Sequence, residues 1–171
     1  MMRVLVTAAS RHGATTEIAD AIGAALREAG LETSVVPPDE VLTLAGYDAV
    51  VLGSAVYMGR WLDPAKQFAA RNGAALAARP VWLFSCGPIG DPPKPTEEPV
   101  DVAGIRDATG ARDHRIFSGK LDRHGLGFGE KAIITAFRTP DGDFRSWDEI
   151  RDWSTGIAGE LQALSIQTTP S

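Results

Sequence analysis

The chain has 171 residues, 44% hydrophobic and 23% charged, proportions that suit one soluble domain with a full core. Its net charge of -5 argues against a nucleic-acid partner, whose phosphates ask for a concentrated basic surface. A single cysteine, Cys86, excludes an internal disulfide, and no apolar run nears the roughly 20 residues that a membrane span needs. The opening MMRVLVTAAS reads as a core strand rather than a basic leader, so a cytoplasmic location is expected, with any membrane contact peripheral.

Arg3 to Ala9 is apolar without strict alternation, the pattern of a strand covered on both faces. After Gly13, Ile18, Ile22, Leu26 and Ala29 recur at helical steps until Gly30 stops the pattern. Glu32 to Pro37 forms a short second strand broken by Pro37-Pro38, a weak helical turn follows, and Asp48 to Ser54 forms a third, buried strand. Asp63-Pro64 supplies an N-cap and a proline at the first helical position of a helix running to about Ala78. Pro80 to Cys86 is the fourth buried strand.

Gly87 to Pro99 is proline-rich and without periodicity, a long surface loop, and a short helix is expected around Val100 to Thr109. His114 to Leu121 reads as a fifth strand. Between Asp122 and Arg145 the run EKAIITAF fits a helix or a strand equally, and neighbouring glycines leave the choice open. Ser146 and Glu149 form a capping box, and Trp147, Ile150, Trp153, Ile157, Leu161 and Leu164 mark one core-facing side of the last helix. The domain is expected to span residues 1–165, with 166–171 a frayed tail.

Strands alternating with helices at this spacing give a parallel sheet covered on both faces, in either of the two common doubly wound strand orders. Right-handed crossovers put the binding loops at the carboxyl ends of the strands, where strand order reverses, which selects the loops after strands one, three and four. The first, Thr7 to Glu17, lacks both G-x-G-x-x-G and Gly-Lys-Ser/Thr. It offers hydroxyls at Ser10, Thr15 and Thr16, donor side chains at Arg11 and His12, and a glycine at a helix start. That donor set suits a terminal phosphate monoester.

Ser10-Arg11-His12-Gly13-Ala14-Thr15 resembles the S/T-x-T-G-x-T phosphate loop of the flavodoxin family, with His12 where threonine is usual. Gly53-Ser54-Ala55-Val56-Tyr57-Met58-Gly59 resembles the same family's G-S-P-x-Y-W/M-G, whose backbone meets the flavin ring edge. Ser85-Cys86-Gly87-Pro88-Ile89-Gly90 stands at the third flavin loop without the aromatic residue many flavodoxins carry there. The resemblance implies an α/β flavodoxin-like three-layer sandwich with a five-stranded parallel sheet in the order 2-1-3-4-5. It implies FMN as cofactor, with Ser10 to Thr15 on the phosphate, Ser54 to Gly59 and Ser85 to Ile89 around the ring, and Tyr57, Met58 or Trp61 against its face.

Within the family, the chain is similar to the menaquinone-dependent protoporphyrinogen IX dehydrogenase branch through Arg11-His12-Gly13, Phe117 to Leu121 (Phe-Ser-Gly-x-Leu), an insertion and Trp147-Asp148 at the last helix. This implies an FMN-dependent oxidoreductase with a redox partner protein or a quinone- or porphyrinogen-type molecule as partner. An electron carrier without its own substrate and a module that has lost the cofactor are the alternatives. No side chain stands out as catalytic, and His12, His114 and His124 lack metal-ligand spacing. A receiver domain would need an aspartate ending strand three, where Gly53-Ser54 stands, and a C-x5-R phosphatase would need arginine where Pro92 stands.

With His12 in place of a hydroxyl, the first loop is expected to hold its phosphate partly by charge from Arg11 and His12. FMN affinity should therefore fall as pH rises through the histidine pKa, near 6.5 when unperturbed, in a titration of flavin fluorescence. A flat affinity between about pH 5.5 and 8 would leave His12 a bystander.

Overall fold

The computed structural model describes residues 2–11, 13–57, 59–87, 101–117, 120–121, 142–143 and 145–168. The expectations for His12, Met58, Pro88, Ile89, the remainder of the loop to Pro99 and most of the 122–145 stretch lie outside these residues.

In chain order the elements are β1 (Arg3–Ala9), α1 (Ala14–Glu28), β2 (Glu32–Val35), a 3-10 turn (Pro38–Glu40), β3 (Ala49–Tyr57), β4 (Arg60–Trp61), α2 (Asp63–Arg71) and α3 (Gly73–Ala77). They continue with β5 (Val81–Cys86), α4 (Val102–Thr109), β6 (Asp113–Phe117), β7 (Lys120–Leu121), β8 (Gly142–Asp143) and α5 (Trp147–Thr168). The main sheet runs β2-β1-β3-β5-β6, all parallel, which is the expected 2-1-3-4-5 order among its five principal strands. A sixth strand, β4, folds back antiparallel on the end of β3.

Both faces of the sheet are covered, as the unbroken apolar runs of β1, β3 and β5 require. Val4, Val6, Ala8, Ala49, Val51, Trp82, Phe84 and Phe117 face α1 and α5, packing on Ile18, Ile22, Leu26, Ile150, Trp153 and Ile157. Leu5, Val50, Leu52, Val81 and Leu83 face the other layer, with Phe68 of α2, Leu76 of α3 and Val102 of α4. On the first face Phe84, Phe117 and Trp153 form a three-ring cluster with centroids 5.5 to 6.1 Å apart, two of the pairs edge to face. Each such pair contributes about 0.5–1.5 kcal/mol beyond its buried area. The Trp153 indole N–H, which would otherwise be a buried unpaired donor, reaches the Asp113 carboxylate at 3.0 Å.

Four expectations are corrected. The single helix from Asp63 to Ala78 is two helices: Asn72 turns its amide onto the Phe68 carbonyl at 3.0 Å, adding to its own backbone bond at 3.1 Å, and with Gly73 it interrupts the helix. Leu62, not Asp63, is the residue before α2, with Asp63 in the first turn and 3.4 Å from Lys66. The fifth strand leaves the main sheet at Phe117, and Lys120–Leu121 pairs instead with Gly142–Asp143. Trp147 is not core: it is 44% exposed, while Ile150, Trp153, Ile157 and Leu161 are buried. It lies in the first turn of α5, where the Arg145 guanidinium stacks 4.6 Å over its ring. The helix itself continues to Thr168, past the point where fraying is expected.

One packing detail fixes the end of the sheet that carries the loops. Gly53 pairs laterally with Ala8 on one side and Phe84 on the other, so two small residues leave room for one large ring. A Cβ at Gly53 would lie 2.3 Å from that ring, which is fully buried and cannot swing away. Gly53→Ala should cost about 1–3 kcal/mol through overpacking and lower the thermal midpoint by roughly 3–10 °C. An unchanged midpoint in thermal unfolding would show that Phe84 does not pack as described.

Candidate functional site

The strand order reverses between β1 and β3, because the chain leaves β1 toward β2 on one side and returns to β3 on the other. Loops leaving these two strands diverge and open a crevice at their carboxyl ends. The ladder aligns Ala9 with Ser54, and Ala55 with Cys86, so the ends of β1, β3 and β5 form one rim.

At the end of β1, Ser10 turns back so that its hydroxyl accepts the Gly13 N–H at 2.9 Å. Gly13 has φ 91 and ψ -16, a left-handed conformation that costs a side chain-bearing residue strain, and a Cβ there would meet open space. Helix α1 starts directly behind it with no side-chain cap at its N-cap position. The first amides of a 15-residue helix thus face the crevice with the positive end of the helix dipole behind them. Thr15 is 2% exposed on the buried side of α1, whereas Thr16 is exposed.

The segment expected as a loop after the third strand is largely strand. Ser54 to Tyr57 prolong β3, Val56 pairs with Trp61 and Tyr57 with Arg60, and Gly59 closes the hairpin at φ 75. The β-branched and aromatic residues at 56 and 57 favour this extension. Three contacts pin the hairpin. The Ser54 hydroxyl accepts the Leu62 N–H at 2.9 Å, the Asp101 carboxylate accepts the Trp61 N–H at 3.1 Å, and Arg60 and Lys66 each lie 3.9 Å from Asp101.

Trp61 is 2% exposed, which removes it from the residues that can lie against a ligand face. Its indole N–H donates to the Ser85 hydroxyl at 2.8 Å, and Ser85 in turn lies 2.7 Å from His114 Nε2. Ser85 and Ser54 are fully buried with these bonds made inside the protein, so neither hydroxyl is turned to the crevice. In the third loop Cys86 is 5% exposed and the Gly87 N–H donates to the Phe117 carbonyl at 2.9 Å.

Tyr57 stays half-buried, and the Arg11 guanidinium lies 4.3 Å from the centre of its ring. This cation–π contact joins the first loop to the β3–β4 hairpin. The structure therefore brings Ser10, Arg11, Gly13, Ala14 and Thr15 to one end of the sheet with Ser54 to Tyr57 and Gly59, and with Ser85 to Gly87 beside them. Among the described residues no group of acidic, cysteine and histidine side chains is arranged to hold a metal ion, and no helix is long and apolar enough to cross a membrane.

Three features have no clear signal in the sequence. The Trp61–Ser85–His114 chain joins residues from three strands, and Asp101 reaches the hairpin across 40 positions. Arg145 sits against the first turn of α1, donating to Glu17 and to the Ala14 carbonyl at 3.4 Å, with its side chain 4% exposed. Side chains brought together only by the fold leave no local pattern.

A family model described as flavodoxin domain matches residues 5–147. No curated protein matches the chain. Among solved structures, a flavodoxin from the domain Archaea is similar at 18% identity and a TM-score of 0.62, with 94% of this chain and 99% of that one covered. The flavodoxin of Streptococcus pneumoniae TIGR4 is 19% identical with a TM-score of 0.59, covering 94% and 98%. Rubredoxin oxygen:oxidoreductase from the anaerobe Desulfovibrio gigas is 12% identical with a TM-score of 0.62, and there 94% of this chain corresponds to 36% of that protein. At these identities the structures speak for the fold, while the family match spans most of the sequence and includes all three loops: the chain belongs to the flavodoxin domain family.

Proposed function

We propose that the protein binds FMN in the crevice at the carboxyl ends of β1, β3 and β5 and serves as a redox protein. The observation that carries this reading is the joining of an uncapped helix start to an aromatic hairpin across the strand-order switch point, through Arg11 on Tyr57. The residues present suit the group. The open space before Gly13 admits a phosphate, the first-turn amides of α1 and the Arg11 guanidinium favour its charge, and Ala55 to Tyr57 offer backbone and one aromatic ring to a planar heterocycle. When bound, the flavin supplies one- and two-electron transfer.

The chain's own residues position and shield. Ser10 holds the turn of the first loop through Gly13, and Arg11, stacked on Tyr57, presents its charge at the junction of the two segments. Asp101 and Ser54 keep the hairpin in register. At the end of β5 the hydroxyl of Ser85 and the amide of Gly87 are bonded within the protein.

The electron acceptor in this reading is a redox partner protein or a quinone- or porphyrinogen-type molecule. Oxidoreductase activity on the latter rests on the motif resemblance around Arg11-His12-Gly13 and Phe117, while similarity to flavodoxins along nearly their whole length favours the carrier. A cytoplasmic location accords with both.

Purified protein should take up FMN stoichiometrically with quenching of flavin fluorescence, and protein that stays colourless with excess FMN overturns the reading. Gly13→Val, which fills the space before the loop, should weaken FMN by at least about tenfold, and Ser10→Ala by about three- to tenfold through loss of one hydrogen bond. Unfolding of the apoproteins reports any backbone strain separately, and unchanged affinity in Gly13→Val would refute the placement of the phosphate. Anaerobic turnover of a quinone or porphyrinogen then separates an oxidoreductase from a carrier, which would show none.

A further inference from the structure

Helix α1 carries an apparent contradiction at its start. Glu17 lies in the first turn and its amide bonds to the Gly13 carbonyl at 3.1 Å, so its carboxylate stands one turn from the loop that would receive a dianion. An acidic side chain there stabilises the helix by facing the positive dipole end, and by the same field it opposes a phosphate. Arg145, 128 positions away, answers that charge: its guanidinium donates to the Glu17 carboxylate and to the Ala14 carbonyl. Its side chain is 4% exposed and stacked on Trp147, so packing holds the guanidinium in place, while the Glu17 side chain at the other end of the pair is 56% exposed and open to solvent.

We propose that Arg145 is a positioning residue for the phosphate site: by cancelling the Glu17 carboxylate in the first turn of α1, it keeps the start of that helix attractive to a dianionic phosphate group. The inference rests on the FMN reading and adds to it a residue from a segment 128 positions from Glu17. The arrangement also accounts for the half-exposed Trp147, whose ring is the platform that holds the guanidinium over the helix start. The ion pair stabilises the fold only as a clasp between residue 145 and α1 if this inference is wrong, and the two roles differ in what they do to a phosphate-bearing ligand.

The test compares FMN with riboflavin, which carries the same ring and no phosphate, by equilibrium fluorescence titration of the full-length protein. Arg145→Met should weaken FMN by about tenfold, as an uncancelled carboxylate near a dianion would, while riboflavin affinity changes less than about twofold. Adding Glu17→Gln to Arg145→Met should return FMN affinity to within about threefold of wild type, because the charge to be cancelled is then gone. Equal weakening of FMN and riboflavin, or no recovery in the double variant, would assign Arg145 a purely structural role and overturn the proposal. Absence of FMN uptake by the wild-type protein would instead bring down the flavin reading itself, and this inference with it.

Discussion

The structure depends on one geometric constraint: β1, β3 and β5 must be buried on both faces while remaining parallel. Parallel neighbours need crossovers, the crossovers need helices on the two sides, and the chain can satisfy this only by filling outward from β1 in both directions. The reversal between β1 and β3 is the consequence, and the crevice at their ends is where no crossover passes. The register that sets this rim is held by side-chain volume as much as by the ladder. Ala8, Gly53 and Phe84 lie in one lateral row, and the Phe84 ring takes the space the two small residues leave.

Much of the architecture was legible because it is written in local periodicity. The burial of β1, the amphipathic face of α1 and the capping of α5 by the Ser146 hydroxyl, 3.3 Å from the Glu149 N–H, all follow from residues a few positions apart. The first loop was legible for the same reason. What was not legible came from competition between neighbours or from distance. Asn72 can bond its own helix and so breaks it, and Trp147 matches the helical stripe of Ile150 and Trp153 yet lies under a guanidinium instead of in the core. Trp61 looks like a surface aromatic beside a binding loop until Ser85 and His114, contributed by β5 and β6, give its N–H a buried chain of polar partners.

The polar groups at the sheet's end divide into two sets with different work. Ser54, Ser85, Asp101 and Gly87 make their hydrogen bonds inside the protein, fixing the hairpin and the end of β5. A buried hydroxyl or amide that lost its partner would cost about 1–3 kcal/mol, so these groups resist being recruited by a ligand. The start of α1 is the opposite case. Its backbone donors have no capping side chain at Gly13, and the Glu17 carboxylate in its first turn is held by Arg145. In the proposed FMN reading, charge recognition would fall to the helix start and shape recognition to the hairpin.

That division bears on how the two ends of a ligand would be read. In the proposed reading a phosphate at the helix start would meet backbone donors whose direction is fixed by α1, an element packed along β1, β2 and α5. A planar ring beside Tyr57 would meet a hairpin that is tied down at Leu62 and Asp101 as well as by core packing. The first site has little room to adapt, and the second can shift only as far as those ties allow. Arg11 links the two segments, since it follows Ser10 in the first loop and its guanidinium rests on the Tyr57 ring. The first loop and the hairpin's aromatic residue thus share one guanidinium, and a displacement of either changes that contact.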